Sequence, residues 1–158
     1  MSTETPADAS SAHAAFLKAL PHGPAFRFID ALTRLERGRS GEARYAIRGD
    51  EAFLAGHFPG APMMPGVILI EAVAQLAGVV AQSSPDVPPL EDLRLTAVRG
   101  AKILGTASPG EILEITARIE GRMGGLVQAS GAVHCGGRQL LATQIVLSGA
   151  VPPGETDA

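Results

Sequence analysis

A histidine and a glutamate flank a short segment rich in proline and glycine, and these residue types could act together as a base and an acid. His57 lies near the start of the sequence GHFPGAPMMPG, and Glu71 follows in a long apolar stretch. Imidazole accepts a proton near neutral pH. A carboxyl group among Ile and Val loses hydration, which favours its protonated form and suits a proton donor. The pair therefore predicts an acid–base site.

The segment between these two residues is stiff. Pro59, Pro62 and Pro65 recur every three residues, and each proline keeps the preceding residue extended. Pro65 suits the first turn of a helix, which would leave the amides of Gly66 and Val67 as unpaired donors at the positive helix end. Because glycine has no side chain, a substrate oxygen could come close to the backbone there.

The stretch from Pro65 to Gln82 predicts a helix that is apolar around most of its circumference. Glu71 and Gln75 are four residues apart and share one stripe of this helix, with Gln82 further along it. Periodicity alone favours a solvated edge for this stripe. The rigid loop before the helix favours the acid–base interpretation instead.

The loop allows three other interpretations. A polyproline ligand is disfavoured, because flanking basic residues are absent and the segment runs directly into a buried helix. His57 could make only structural hydrogen bonds, as we expect for His22 and His134. A metal-binding role for His57 has weak support, because no second His or Cys is near it in the sequence.

The remaining pattern predicts one α+β domain over residues 13–149, with flexible segments at 1–12 and 150–158. A short helix is expected at Ser11–Leu20, with Ala14, Ala15, Leu17 and Leu20 facing inward. Six strands joined mainly by hairpins are expected to form a curved antiparallel sheet with the long helix on its concave side. The predicted strands are Phe26–Leu35, Glu42–Ile47, Leu90–Val98, Glu111–Ile119, Leu126–His134 and Gln139–Leu147.

Composition excludes several functions. The 158 residues carry a net charge of −3 and only 4% aromatic residues, which argues against nucleic-acid binding. Cys135 is the only cysteine, so an internal disulfide and a Cys-rich zinc site are excluded. No signal sequence is apparent, and the most apolar stretch is short for a membrane span. We therefore expect a cytoplasmic protein that does not insert into membranes.

The sequence GHFPGAPMMPGVILIEAVAQLAG closely resembles the signature of the β-hydroxyacyl-acyl-carrier-protein dehydratases of the FabZ type. Leu20-Pro21-His22 resembles the start of that family, although Arg27 stands where a large aliphatic residue is usual. The resemblance implies a hot-dog fold and homodimers that also assemble as trimers of dimers. It implies that each active site is shared between two subunits, and that neither a metal nor a redox cofactor is needed.

The resemblance also implies the roles of the site residues in fatty-acid or related lipid or polyketide synthesis. His57 would remove the C2 proton of a 3-hydroxyacyl thioester carried on acyl carrier protein, and Glu71 would protonate the departing C3 hydroxyl. The Gly66 amide, with Val67 beside it, would polarise the thioester carbonyl. The residues expected to line the tunnel or orient the acid are Phe58, Pro65 and Gln75.

A basic group after the helix, formed by Arg94, Arg99 and Lys102, would dock the acidic carrier protein; solvated charges at strand ends are the alternative. Because one fold supports several functions, a thioesterase and an enoyl hydratase are alternative activities. A non-catalytic acyl-binding module is an alternative of a different class.

Overall fold

A computed structural model describes residues 6–55 and 60–154. The helices are α1 (Pro6–Lys18), α2 (Ala52–Ala55) and α3 (Gly66–Gln82), and the strands are β1 (Ala31–Glu36), β2 (Ser40–Ala46), β3 (Glu91–Ile103), β4 (Ile112–Met123), β5 (Leu126–Cys135) and β6 (Arg138–Ala150). The strands form one antiparallel sheet in the order β1-β2-β4-β5-β6-β3. This sheet packs against α3 along most of its width, which confirms the predicted α+β hot-dog fold.

Helix α3 is the centre of the core, and 11 of its 17 residues are buried. Glycines on the facing strands allow the sheet to approach it closely. A Cβ on Gly131 of β5 would lie 2.5 Å from the Thr116 carbonyl oxygen and would also meet Val73 of the helix. A Cβ on Gly41 of β2 would lie 2.9 Å from a methyl group of Val80. These two glycines therefore fix how near the helix lies to the sheet.

Both ends of α3 are tied to neighbouring segments. Before the helix, the Met64 amide donates to the carbonyl of Ala107 at 2.7 Å. After it, the Arg37 guanidinium donates to the Ser83 carbonyl at 2.8 Å. Arg122 donates to the Ala81 carbonyl at 3.3 Å, and burial lowers the pKa of this guanidinium. Cations at a helix C-terminus complement the helix dipole, so these contacts hold the helix and its polar stripe in place.

The predicted start of the first strand is wrong. The sequence pattern placed it at Phe26, but β1 begins at Ala31, and residues 24–26 form a 3-10 turn. The reason is that the Phe28 amide donates to the side-chain oxygen of Gln75 at 3.0 Å. A helix side chain thus takes the backbone hydrogen bond that a neighbouring strand would otherwise supply.

The N-terminal helix also differs from expectation. It begins at Pro6 rather than near Ser11 and ends at Lys18. Ala14 and Ala15 are exposed, so the prediction that they face inward is wrong. Leu17 packs against the core and Leu20 is buried, as expected, and Phe16 also packs against the core. The helix α2 was not predicted. Within the described ranges, no helix is both long and apolar enough to cross a membrane.

Candidate active site

Glu71 lies on the side of α3 that is only partly covered, and its side chain is 20% exposed. One of its carboxylate oxygens, Oε1, has two neighbours that can donate hydrogen bonds. The Nε2 of Gln75 lies 3.2 Å away, and the Nε2 of His22 also lies 3.2 Å away. Of these two, Gln75 donates a hydrogen bond to Oε1 and His22 contacts the same oxygen, while Oε2 has no donor among the described residues.

Gln75 connects Glu71 to the loop that precedes β1. Its side chain is 2% exposed, so the solvated-edge interpretation is wrong for this residue. Its Nε2 donates to the Phe26 carbonyl at 2.9 Å as well as to Glu71, and its Oε1 accepts from the Phe28 amide at 3.0 Å. A buried amide with all its polar atoms engaged is rigid. Gln75 therefore fixes the carboxyl group of Glu71 relative to this loop.

His22 is the site neighbour that the sequence did not single out for chemistry. Its ring stacks on Phe26, with 6.1 Å between ring centroids, and its Nδ1 is buried without a hydrogen-bond partner in the described structure. The His22 carbonyl accepts from Arg27 Nε at 2.9 Å, and the Leu20 carbonyl accepts from the same guanidinium at 3.2 Å. His22 could have been identified from its place in the Leu20-Pro21-His22 segment. The spacing of residues along the chain, however, does not predict that this segment contacts α3.

An apolar groove of about 710 Å³ begins beside Glu71 and follows one face of α3. Its floor includes Ala74 and Gly78, and Leu93 and Leu95 of β3 form part of its wall. At the far end, Gln82 binds both backbone polar groups of Leu90, at 2.7 and 2.9 Å. The stripe of polar residues predicted from the sequence thus borders a cavity of the size that takes small-molecule ligands.

The N-terminus of α3 has the features expected of a site that binds a carbonyl oxygen. Pro65 is the buried N-cap, and no acceptor among the described residues pairs with the amides of Gly66 and Val67. A Cβ on Gly66 would lie 2.6 Å from the terminal methyl of Ile103. An added side chain at this position would therefore require the half-exposed side chain of Ile103 to move.

Several predicted site residues are not brought together. His57 and Phe58 lie outside the described residues. Arg94 borders the groove that contains Glu71, whereas Lys102 borders a separate open cavity on the sheet. Arg99 is exposed between them on β3. Among residues 6–55 and 60–154, no three His, Cys, Asp or Glu side chains are grouped closely enough to hold a metal ion.

An antiparallel six-stranded sheet wrapped around one long helix defines the class of hot-dog proteins. The chain belongs to the FabA-like family, because the model of the FabA-like domain matches residues 20–144. This match confirms the family resemblance carried by the His57–Gly78 segment.

Relatives with a named activity support this assignment. The chain is 33% identical over 122 residues to the 3-hydroxyacyl-[acyl-carrier-protein] dehydratase FabZ of Paracidovorax citrulli, covering 76% of this chain and 84% of the relative. It is 34% identical over 127 residues to the enzyme of the same name from an Anaeromyxobacter species, covering 78% and 80%.

Solved structures support the fold. The dehydratase heterocomplex ApeI:P from Xenorhabdus doucetiae superposes with a TM-score of 0.67 at 17% identity, covering 85% of this chain and 89% of that one. The virulence protein Cj0977 from Campylobacter jejuni superposes with a TM-score of 0.66 at 12% identity, covering 96% and 97%.

Proposed function

We propose that this protein dehydrates 3-hydroxyacyl thioesters carried on acyl carrier protein to trans-2-enoyl thioesters, within fatty-acid or a related lipid or polyketide synthesis. The observation that carries this proposal is the Glu71 carboxyl group, which accepts a hydrogen bond from Gln75 and contacts His22 at the mouth of an apolar groove in a FabA-like chain. An acid in this position can protonate a departing hydroxyl while the acyl chain occupies the groove.

In the proposed reaction, two residues transfer protons and the N-terminus of α3 stabilises charge. His57 removes the proton from C2, and the free amides of Gly66 and Val67 stabilise the negative charge that develops on the thioester oxygen. Glu71 then gives a proton to the C3 hydroxyl, which leaves as water. Phe58 and Pro65 shape the entrance. The atoms balance with acid–base groups alone, so the proposed chemistry requires neither a metal nor a redox cofactor.

We propose that the active site is completed by a second copy of the chain. In the described sheet, β3 is an edge strand of 13 residues, and it is largely exposed. Apolar side chains are also exposed on this strand, Val98 at 47% and Ile103 at 53%, and at the start of α3, Val67 at 68%. Long edge strands with exposed apolar residues are suited to pairing with another strand. A dimer joined along β3 would bring a partner close to Gly66, which packs against Ile103.

The assay that tests this function offers 3-hydroxyacyl carrier-protein substrates of several chain lengths and measures enoyl product and free thiol separately. Enoyl product without thiol is the expected result. Thiol release would indicate a thioesterase, and the absence of turnover at every length, with a well-folded protein, would indicate a binding module. We also expect a cytoplasmic location, which cell fractionation tests.

The shape of the groove beside Glu71 predicts how activity depends on the length of the acyl chain. Gly78 borders it, and a Cβ there would have a single near neighbour, Leu93, at 3.9 Å. Gly78→Leu should therefore fill the groove and lower kcat/KM for long acyl chains while sparing short ones, since each excluded methylene forfeits about 0.8 kcal/mol of binding. Measuring kcat/KM against chain length checks this. Gly78→Ala is the matched control, because its methyl fits. An equal loss at all lengths would mean that the acyl chain lies elsewhere.

The basic residues of β3 make a prediction about the carrier. Arg94 borders the groove, and Arg99 and Lys102 follow along the same exposed strand. Reversing all three charges should raise KM for carrier-linked substrate several-fold at low salt, because electrostatic steering of an acidic partner would be lost. Short soluble thioesters provide the control and should be unaffected. An equal effect on both substrate types would contradict docking at this strand.

A further inference from the structure

The contact between His22 and Glu71 assigns a further role at the active site. The His22 ring reaches Glu71 Oε1 through Nε2 at 3.2 Å and borders the same groove. Its Nδ1 is buried and has no partner in the described structure. The ring stacks on Phe26, and Arg27 anchors the backbone of His22 by donating to its carbonyl. These contacts place the His22 ring beside α3 with Nε2 toward Glu71.

The unpartnered Nδ1 indicates which nitrogen carries the proton. Orphaned buried N–H groups are rare, because such a donor loses water without gaining an acceptor. A proton on Nδ1, in either the neutral or the charged ring, would create such a group. The neutral ring with its proton on Nε2 avoids this and places the donor where Glu71 Oε1 can accept.

This tautomer determines which oxygen of Glu71 carries the transferable proton. Gln75 also donates to Oε1, and neither an amide NH₂ nor a protonated imidazole nitrogen can accept a proton. A proton on the carboxyl group therefore belongs on Oε2, which no described residue engages. We infer that His22 is a positioning residue. Its Nε2–H and the Gln75 amide hold Oε1 as an acceptor, so that Oε2 presents the proton to the substrate hydroxyl.

This inference rests on the proposed role of Glu71 as the acid, and three variants separate positioning from packing. In His22→Gln, the new side-chain amide can donate from nearly the same place as Nε2, but it has no ring. His22→Phe keeps the ring that stacks on Phe26, but it cannot donate. Thermal unfolding of both variants verifies that each is folded. His22→Asn is the control for reach, because its shorter amide matches Nδ1 rather than Nε2.

We expect His22→Phe and His22→Asn to lower kcat by about 10- to 100-fold with little change in KM, since a misplaced acid slows the chemical step. His22→Gln should retain kcat within a few-fold of wild type. If His22→Phe keeps full activity while His22→Gln loses it, the ring acts by packing and the inference is overturned.

A second measurement does not depend on turnover. In wild-type protein labelled with ¹⁵N-histidine, the imidazole shifts of His22, assigned by their loss in His22→Phe, should show a protonated Nε2 and a bare Nδ1. A protonated Nδ1 would overturn the inference. A wild-type protein that makes no enoyl product would instead contradict the proposed function, and this spectrum would still report which ring nitrogen of His22 carries the proton.

Discussion

Replacing Glu71 with glutamine is expected to reduce kcat for dehydration by about 10²–10⁴-fold, the usual contribution of a well-placed acid. The amide oxygen of the variant can still accept from Gln75 and His22, so the local structure should persist. Its NH₂ group cannot release a proton to the C3 hydroxyl. Enoyl product formation, measured alongside urea unfolding, separates the loss of chemistry from a loss of folding.

The same loss is expected for His57→Ala, and mixing the two variants tests whether the site is shared. If one subunit supplies His57 and the other Glu71, random pairing yields about half heterodimers, each with one intact site, so about a quarter of wild-type activity should return. Two inactive variants that stay inactive after unfolding and refolding together would show that both residues act within one chain. Full activity in either single variant would contradict the acid–base mechanism itself.

Replacing Gln75 with leucine should have the largest effect on stability among the site residues. The substitution leaves the Phe28 amide and the Phe26 carbonyl without their partner, and Phe28 is 1% exposed. The hydrogen bond at Phe28 is buried and the one at Phe26 is only partly buried, and an unsatisfied buried group costs about 1–3 kcal/mol, so the free energy of unfolding should fall by about 1–3 kcal/mol. Because Glu71 also loses a donor, kcat should fall as well. Urea unfolding and initial rates measure the two effects.

Gln82→Leu is the matched control on the same helix. Gln82 also binds two backbone groups of one residue, Leu90, but it does so at the far end of the groove from Glu71. This variant should lose stability while retaining kcat for short acyl chains. If Gln75→Leu and Gln82→Leu reduce kcat equally, the effect of Gln75 is a general consequence of destabilisation, and its placement of the carboxyl group is disproved.

The sequence was sufficient where the physical cause is local. The three regularly spaced prolines and the apolar run after them predicted the start and length of α3 to within one residue, because Pro65 and helix periodicity act over a few positions. Alternation in the last third predicted the strands in the same way: Leu113, Ile115 and Ala117 are buried, as the pattern requires. The i,i+4 spacing likewise placed Glu71 beside Gln75.

The burial of Gln75 and the start of the first strand depend on residues distant in the chain, so they became apparent only in the folded structure. Periodicity favoured a solvated Gln75, but this side chain is buried because the loop at Phe26 and Phe28 packs over it. Because of the same hydrogen bonds, the first strand begins only at Ala31.

The sequence predicted the candidate acid, the loop before it and the helix that carries it, because each of these follows from residues a few positions apart. Only the folded chain brought His22 to Glu71 and opened the groove beside them. The physical reason is that hydrogen bonds and cavities depend on which surfaces meet when the sheet closes around α3, and local spacing carries no information about that meeting.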